Sequence, residues 1–273
     1  LVARAHRAPL VVDMMISLSD TLAGDRARVG GATGRLLAGV DRTALALADI
    51  VLADTRAGAD FLARRFGVPR DRLVVAPVGA EPGAFPCVPP DDGPCRVLWY
   101  GKLAPLHGLE VIVQAARTPG VPPIRLVGEG QLDGWLAAEI LRDPPASFEH
   151  VPWIPYERLG AEVAASAVVL GAFGTSAKAS RVVPNKVFQA MAAGRPVVTA
   201  DTPGIREVLT DGEDCVLVPA GDPRALAGAL IDLAADPARR TRLGSAARRR
   251  YEEVGLPAAA GAPLVAALRE RSR

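Results

Sequence analysis

GAFGTSAKASRVVPNKVFQAMAAGRPVVTADTPGIREVL, residues 171–209, decides how the rest of the chain is read. The apolar segment 166–170 before its body reads as a buried strand, and 196–200 reads as another. Between them Val187, Phe188, Met191 and Ala192 recur at helical spacing. Asn185 after Pro184 is the expected N-cap, and Gly194 followed by Pro196 ends the element. Strand, long loop, helix and strand make one βαβ unit.

The charges in this unit carry the functional information. Lys186 falls in the first helical turn, where the macrodipole is already positive, and Lys178 and Arg181 lie just upstream. Cations belong at the other end of a helix. The arrangement costs a few tenths to about 1 kcal/mol unless an anion occupies the site, whereas a charge-assisted contact to phosphate returns about 1.5 to 3 kcal/mol. It therefore reads as a phosphate site. The competing reading is that all three side chains extend into solvent, as most loop cations do.

Composition narrows the classes. With 273 residues and 49% apolar content the chain fits two domains, each with a core. A formal charge of +2 and 4% aromatic residues argue against a nucleic-acid partner. Cys87, Cys95 and Cys215 show no C-x-x-C spacing and His6, His107 and His150 are scattered, so neither a disulfide framework nor a metal site is expected. The opening LVARAHRAPLVVDMM lacks the length and cleavage site of a signal peptide, and no apolar run reaches about 18 residues. The expected location is the cytoplasm. Because the chain opens on Leu1 and enters a strand at 9–13 almost at once, an upstream portion is also expected.

Working outward, the first part alternates a strand from residue 10, a glycine-bearing loop, a helix near 33–48, a strand at 50–53, a helix at 56–66 and a strand at 73–76. Such alternation predicts an α/β fold with a parallel sheet. VGGATG at 29–34 does not match G-x-G-x-x-G and reads as a lead-in to a helix. The stretch EPGAFPCVPPDDGPC, 81–95, carries five prolines and is the linker. The domains are set at 1–85, a linker at 86–95, a second domain at 96–254 and a C-terminal helix at 255–273. Strands in the second domain are expected at 96–100, 124–127, 148–151, 166–170, 196–200 and 215–218. Helices are expected at 108–117, 132–141, 156–165, 223–235 and 237–253.

Ligands of open parallel sheets bind beyond the carboxyl ends of the strands. The residues there are Gly101 and Lys102, then Gly128, Glu129 and Gly130, then Trp153 and Ile154, then Gly171 and Gly174, and finally Asp201, Thr202 and Gly204. Each glycine has a plain reading as turn chemistry and another as a place where a ligand approaches the backbone. Lys102 puts a second cation on the rim that faces Lys178, Arg181 and Lys186.

From these motifs the chain resembles the GT-B fold glycosyltransferases of the large retaining family 4, glycosyl transferases group 1. The resemblance runs through YGKLAPLHGLEVIVQAA, LVGEGQ, PNKVFQAMAAGRPVVT, DTPGIREVL and DGEDCVLVPAGDPRALAGAL in order, and through ADIVLADTRAGADFLARRFGVP and VVAPVGAE before the linker. It implies a complete C-terminal Rossmann-like domain that binds a nucleotide-sugar, beside an incomplete N-terminal Rossmann-like domain on the acceptor side. It also implies donor contacts from Gly101, Lys102, His107, Gly128, Ile154, Lys178, Arg181, Val183, Pro184, Asn185, Lys186 and Gln189. His107 stands where many members carry a second lysine, and Arg181 and Gln189 stand where many carry two glutamates. A subgroup with the wording KAKRVIPNKVYEAL shares the first of those two changes. The catalytic work falls to Lys102, Arg181 and Lys186, which would stabilise the leaving nucleoside diphosphate. No Asp-x-Asp pair occurs in the chain, so the transfer is expected to be metal-independent and to need no cofactor, the nucleotide-sugar being a substrate.

Two other functions stay open: a non-catalytic nucleotide-binding fragment, and a GT-B epimerase or phosphorylase. The acceptor class, whether a glycan, a lipid-linked molecule or a small molecule, is left open. Arg239, Arg240, Arg242, Arg248, Arg249 and Arg250 give the helix before the tail a basic character that invites peripheral contact with the inner face of the membrane; a solvated helix face is the competing reading.

Overall fold

A computed structural model describes residues 8–15, 17–25, 31–89 and 93–271. Residues 1–7 with His6, the Val29–Gly30 start of VGGATG, and Pro90, Asp91 and Asp92 of the linker lie outside the described residues.

Two parallel sheets organise the described chain. The first has the order β1-β2-β3, with β1 Val11–Asp13, β2 Ile50–Ala53 and β3 Leu73–Val75. Two helices accompany it, α1 Gly31–Leu47 and α2 Arg56–Phe66. Thr55 caps α2, its Oγ1 accepting the Gly58 N–H at 2.9 Å.

The second sheet contains β4 Val97–Tyr100, β5 Ile124–Val127, β6 Phe148–Val151, β7 Val168–Leu170, β8 Val197–Ala200 and β9 Val216–Val218. Its order is β6-β5-β4-β7-β8-β9, with every pairing parallel. The winding reverses between β4 and β7, which opens a crevice at their carboxyl ends. All residues of β4, β7 and β8 are buried, as expected of strands covered on both faces. Alternation sorts the side chains: Val97 and Trp99 join a core with α3 Leu109–Ala116 and α8 Pro223–Ala235. Leu98 and Tyr100 join the opposite core with α6 Asn185–Ala192 and Tyr251 of α9 Pro237–Val254. Helices α4 Asp133–Arg142 and α5 Tyr156–Ala165 complete the crossovers, and a four-residue helix that the spacing does not announce, α7 Pro203–Arg206, follows β8.

The last helix, α10 Pro257–Arg271, crosses back to the first sheet. Its Leu264, Ala267 and Leu268 pack against Ile50, Leu52 and Ala76. The periodicity of the tail predicts the helix but carries no signal for this destination. On α9, Arg240 donates to the Leu233 carbonyl, Arg248 to that of Ala192 and Arg250 to that of Val208. Three of the six arginines that invite a membrane reading are therefore engaged with the protein's own backbone.

Candidate functional site

Lys186 lies in the core rather than in solvent. It is 5% exposed, its Nζ has no hydrogen-bond partner among the described residues, and the ammonium stands 3.7 Å from the centroid of the Trp99 ring. Trp99 is held in turn by its indole N–H, which donates to the Gly171 carbonyl at 3.0 Å. Burial drives the pKa of Lys186 well below that of an ordinary lysine. A cation over an aromatic face gains about 2 kcal/mol when desolvated, less than the cost of burying an unpaired charge. Gly101 covers the group: a Cβ there would stand 3.3 Å from the Nζ, and its backbone has φ of 138°.

Asn185 is not the N-cap of α6. Pro184 holds that position, with φ −61° and ψ 141°, and no side chain caps the helix. Proline fixes the extended geometry that must precede the first turn, so Asn185 becomes the first helical residue and is exposed.

His107 meets Trp99 edge-on at 5.5 Å between centroids, and its Nδ1 is buried without a partner. Burial, reinforced by the charges of Lys186 and Lys178, pushes its pKa down to about 2. The imidazole is neutral, so this position offers hydrogen bonding where a lysine would offer charge. Gln189 is half-buried, and its Oε1 accepts the Tyr100 hydroxyl at 2.9 Å. Lys102 is exposed on the rim.

The other two cations point toward the first sheet. Arg181 pairs with Asp20 at 2.8 Å and lies 3.9 Å from the centroid of the Phe61 ring. The Lys178 ammonium donates to Thr21 Oγ1 at 2.6 Å. Thr55 Oγ1 donates to the Arg181 carbonyl, and the Glu207 carboxylate accepts the N–H groups of Arg56 and Ala57 at 2.6 and 2.8 Å. A carboxylate at the start of α2 suits its dipole. Asp54 sits beside these contacts, and its pKa rises to about 6, chiefly through burial; the Val183 N–H and Thr55 hydroxyl oppose that shift. The loop from Gly171 to Pro184 thus ties the two sheets together, and the expected cation cluster divides into Lys186 at the crevice and Lys178 with Arg181 at the junction.

Most rim glycines answer to packing. A Cβ on Gly128 would lie 1.9 Å from the Gly101 carbonyl oxygen, and one on Gly171 would lie 2.3 Å from Thr199 Oγ1. Val183 and Ile154 pack in the core with α6. Asp54, Thr55, Asp20 and Glu207 are the functional candidates that the sequence reading passes over. The rule about carboxyl ends of strands, applied to β2 as it is to the second sheet, selects Asp54 and Thr55; nothing in the spacing selects Asp20 or Glu207.

Comparison with known proteins identifies the family and the fold. The family model described as Glycosyl transferases group 1 matches residues 94–236. The D-inositol 3-phosphate glycosyltransferase of Xylanimonas cellulosilytica is 32% identical over 248 residues, covering 81% of this chain and 57% of that protein. The phosphatidyl-myo-inositol mannosyltransferase of Mycobacterium leprae is 49% identical over 69 residues, 24% of this chain and 18% of that one. The chain spans about half the length of the curated relatives it matches. Among solved structures, sucrose-phosphate synthase from Thermosynechococcus elongatus superposes with a TM-score of 0.77 at 22% identity, covering 95% of this chain and 67% of that one. The Anabaena protein HepE in complex with UDP does so with a TM-score of 0.76 at 19% identity, covering 98% and 74%. The parallel sheets, the reversal between β4 and β7 and the family match over more than half the length lead to one conclusion: the chain belongs to the glycosyl transferases group 1 and has the GT-B fold.

Proposed function

We propose that the chain is the donor-binding part of a glycosyltransferase that moves a sugar from a nucleoside diphosphate to an acceptor, with retention of configuration and without a metal. The observation that carries this reading is the buried ammonium of Lys186, unpartnered, beneath Gly101 at the reversal of the sheet. Fold and family raise the prior, and the site supplies the chemistry. To meet a phosphate, the Lys186 ammonium leaves the Trp99 face and the anion raises its lowered pKa; Lys102 answers from the rim, and the neutral His107 offers a hydrogen bond. Together they stabilise the charge that develops on the leaving diphosphate. Arg181 joins them only by exchanging the Asp20 carboxylate for phosphate.

HepE has been solved with UDP and with UDP-glucose, so uridine nucleotides come first in the test. Calorimetry with UDP, GDP and ADP in buffers of different ionisation enthalpy is expected to show binding with uptake of a proton. Because the lysine pKa is low before binding and rises beside phosphate, affinity falls as pH rises through that window. Binding with no proton exchange at any pH would remove Lys186 from the site. Transfer is assayed separately as consumption of UDP-glucose, with inositol phosphates leading the acceptor panel because two relatives are named for inositol compounds. Saturable binding with no transfer to any acceptor would favour the non-catalytic reading for this chain.

Gln189→Glu gives a smaller, separate check. A carboxylate still accepts the Tyr100 hydroxyl through one oxygen and leaves the other for a ribose hydroxyl, a bond roughly twice as strong as that of an amide. Stability should move by less than about 1 kcal/mol, and preference for UDP over its 2′,3′-dideoxy analogue should rise several-fold in competition binding. An unchanged preference would take residue 189 away from the ribose.

A further inference from the structure

A second cavity, of about 720 Å³, lies at the opposite end of the second sheet. Arg96 stands just before β4, Ala167 just before β7 and Pro196 just before β8, and all three line it, so it opens at the amino ends of the strands, away from the crevice. Four arginines line it, Arg96, Arg195, Arg240 and Arg248.

Among the described residues, their partners do not balance their charge. Arg195 is 1% exposed; it donates to the Val88 carbonyl at 2.9 Å and the Pro89 carbonyl at 3.4 Å, and its Nε has no partner among the described residues. Arg240 donates to the carbonyls of Leu233 and Ala234. Among the described residues Arg248 alone of the four is in an ion pair, with Glu252 at 2.8 Å. Carbonyl dipoles satisfy donors, but they do not neutralise a buried cation, and an unpaired buried charge is costly. Arginine forks match the oxygens of a phosphate, and the volume falls within the range of sites for small organic ligands. Proline and alanine side chains, among them Pro94, Pro196 and Ala167, supply the apolar part of the wall.

We propose that this cavity binds a small phosphate monoester, its phosphate held by Arg195, Arg96 and Arg240 and its organic part against the proline-lined wall, at a site separate from the donor crevice. The linker carries Asp91 and Asp92, which lie outside the described residues, and the test distinguishes them from an external ligand.

Cys87 lines the cavity and is exposed, whereas Cys215 is buried in the core with α6 and serves as an internal control. The rate of maleimide labelling at Cys87, followed by mass spectrometry, reads occupancy locally. Phenyl phosphate should slow it saturably and at lower concentration than inorganic phosphate. Arg96→Gln, which changes an exposed side chain, and Arg240→Gln should each raise the concentration needed about tenfold, in line with loss of one charged hydrogen bond. Lys186→Met should leave the protection unchanged, so failure here and failure of the donor reading give different results. Protection that neither arginine variant alters overturns the proposal. So does absence of protection in the native chain, or protection that appears only in Asp91→Asn/Asp92→Asn, which would assign the arginines to the linker's own acids.

Discussion

Replacing Lys186 by methionine is expected to make the unliganded chain more stable by about 1 to 3 kcal/mol while weakening nucleoside diphosphate binding by about 10- to 150-fold. The two effects have one cause. In the free protein the ammonium is buried over Trp99 with no hydrogen-bond partner, so a thioether of similar length removes a desolvation cost and keeps the packing on the ring. In the complex the same change removes a charged contact to phosphate. The pH dependence follows with a definite sign. The folded pKa lies below the ordinary 10.5, so between the two values the unfolded chain binds more protons and stability rises with pH. Lys186→Met should abolish that rise. Urea unfolding across the alkaline range, paired with calorimetry against UDP, measures both halves. A variant that is destabilised and still binds UDP with native affinity would make Lys186 a packing residue and end its assignment to the donor.

The placement of Lys186 also shows what the sequence can and cannot carry. The βαβ unit is legible because its constraints are local: apolar runs of strand length, helical spacing of Val187, Phe188 and Met191, and a glycine and proline to stop the helix. The Rossmann-like second domain follows from the resemblance, whereas the order of its strands, and the crevice that the order opens, come from the structure. Charge at a helix start is legible as an anomaly; its resolution is not. Lys178, Arg181 and Lys186 lie within one short stretch, yet one is buried against Trp99 and two reach across to Thr21 and Asp20. Those partners are more than 150 positions away for the two loop cations, and no local pattern encodes such pairs. The rim glycines teach the complementary lesson. Gly128 and Gly171 lie where a ligand rule predicts glycine, but the atoms that exclude a side chain there are the chain's own.

Asp54→Asn should flatten the pH dependence of stability in the acid range and leave the chain more stable above it. The Asp54 carboxyl has its pKa raised from 3.8 to about 6, first by burial, with the Glu207 charge adding to it, so the folded state holds a proton that the unfolded chain has released. Stability contributed by this group is present below 3.8, declines as pH rises through the window to about 6, and stays lost above it. At about 1.4 kcal/mol per pH unit this rise sets an upper bound of about 3 kcal/mol, and an effect of about 1 to 3 kcal/mol is expected for a partly solvated group. Asparagine keeps the size and an acceptor for the Val183 N–H while removing the charge that is expensive to bury. The same group lies where Glu207 meets the start of α2 and Thr55 meets Arg181, so its protonation acts on the contacts that join the sheets. Glu207→Gln should therefore lower the pKa of Asp54, and the double variant should be non-additive, because neighbours that share a field do not contribute independently. Chemical denaturation over a pH series for the four members of this cycle measures the coupling. Additive effects with an unchanged acid slope in Asp54→Asn would show that Asp54 is solvated and ionised throughout, and the junction would then owe nothing to its protonation.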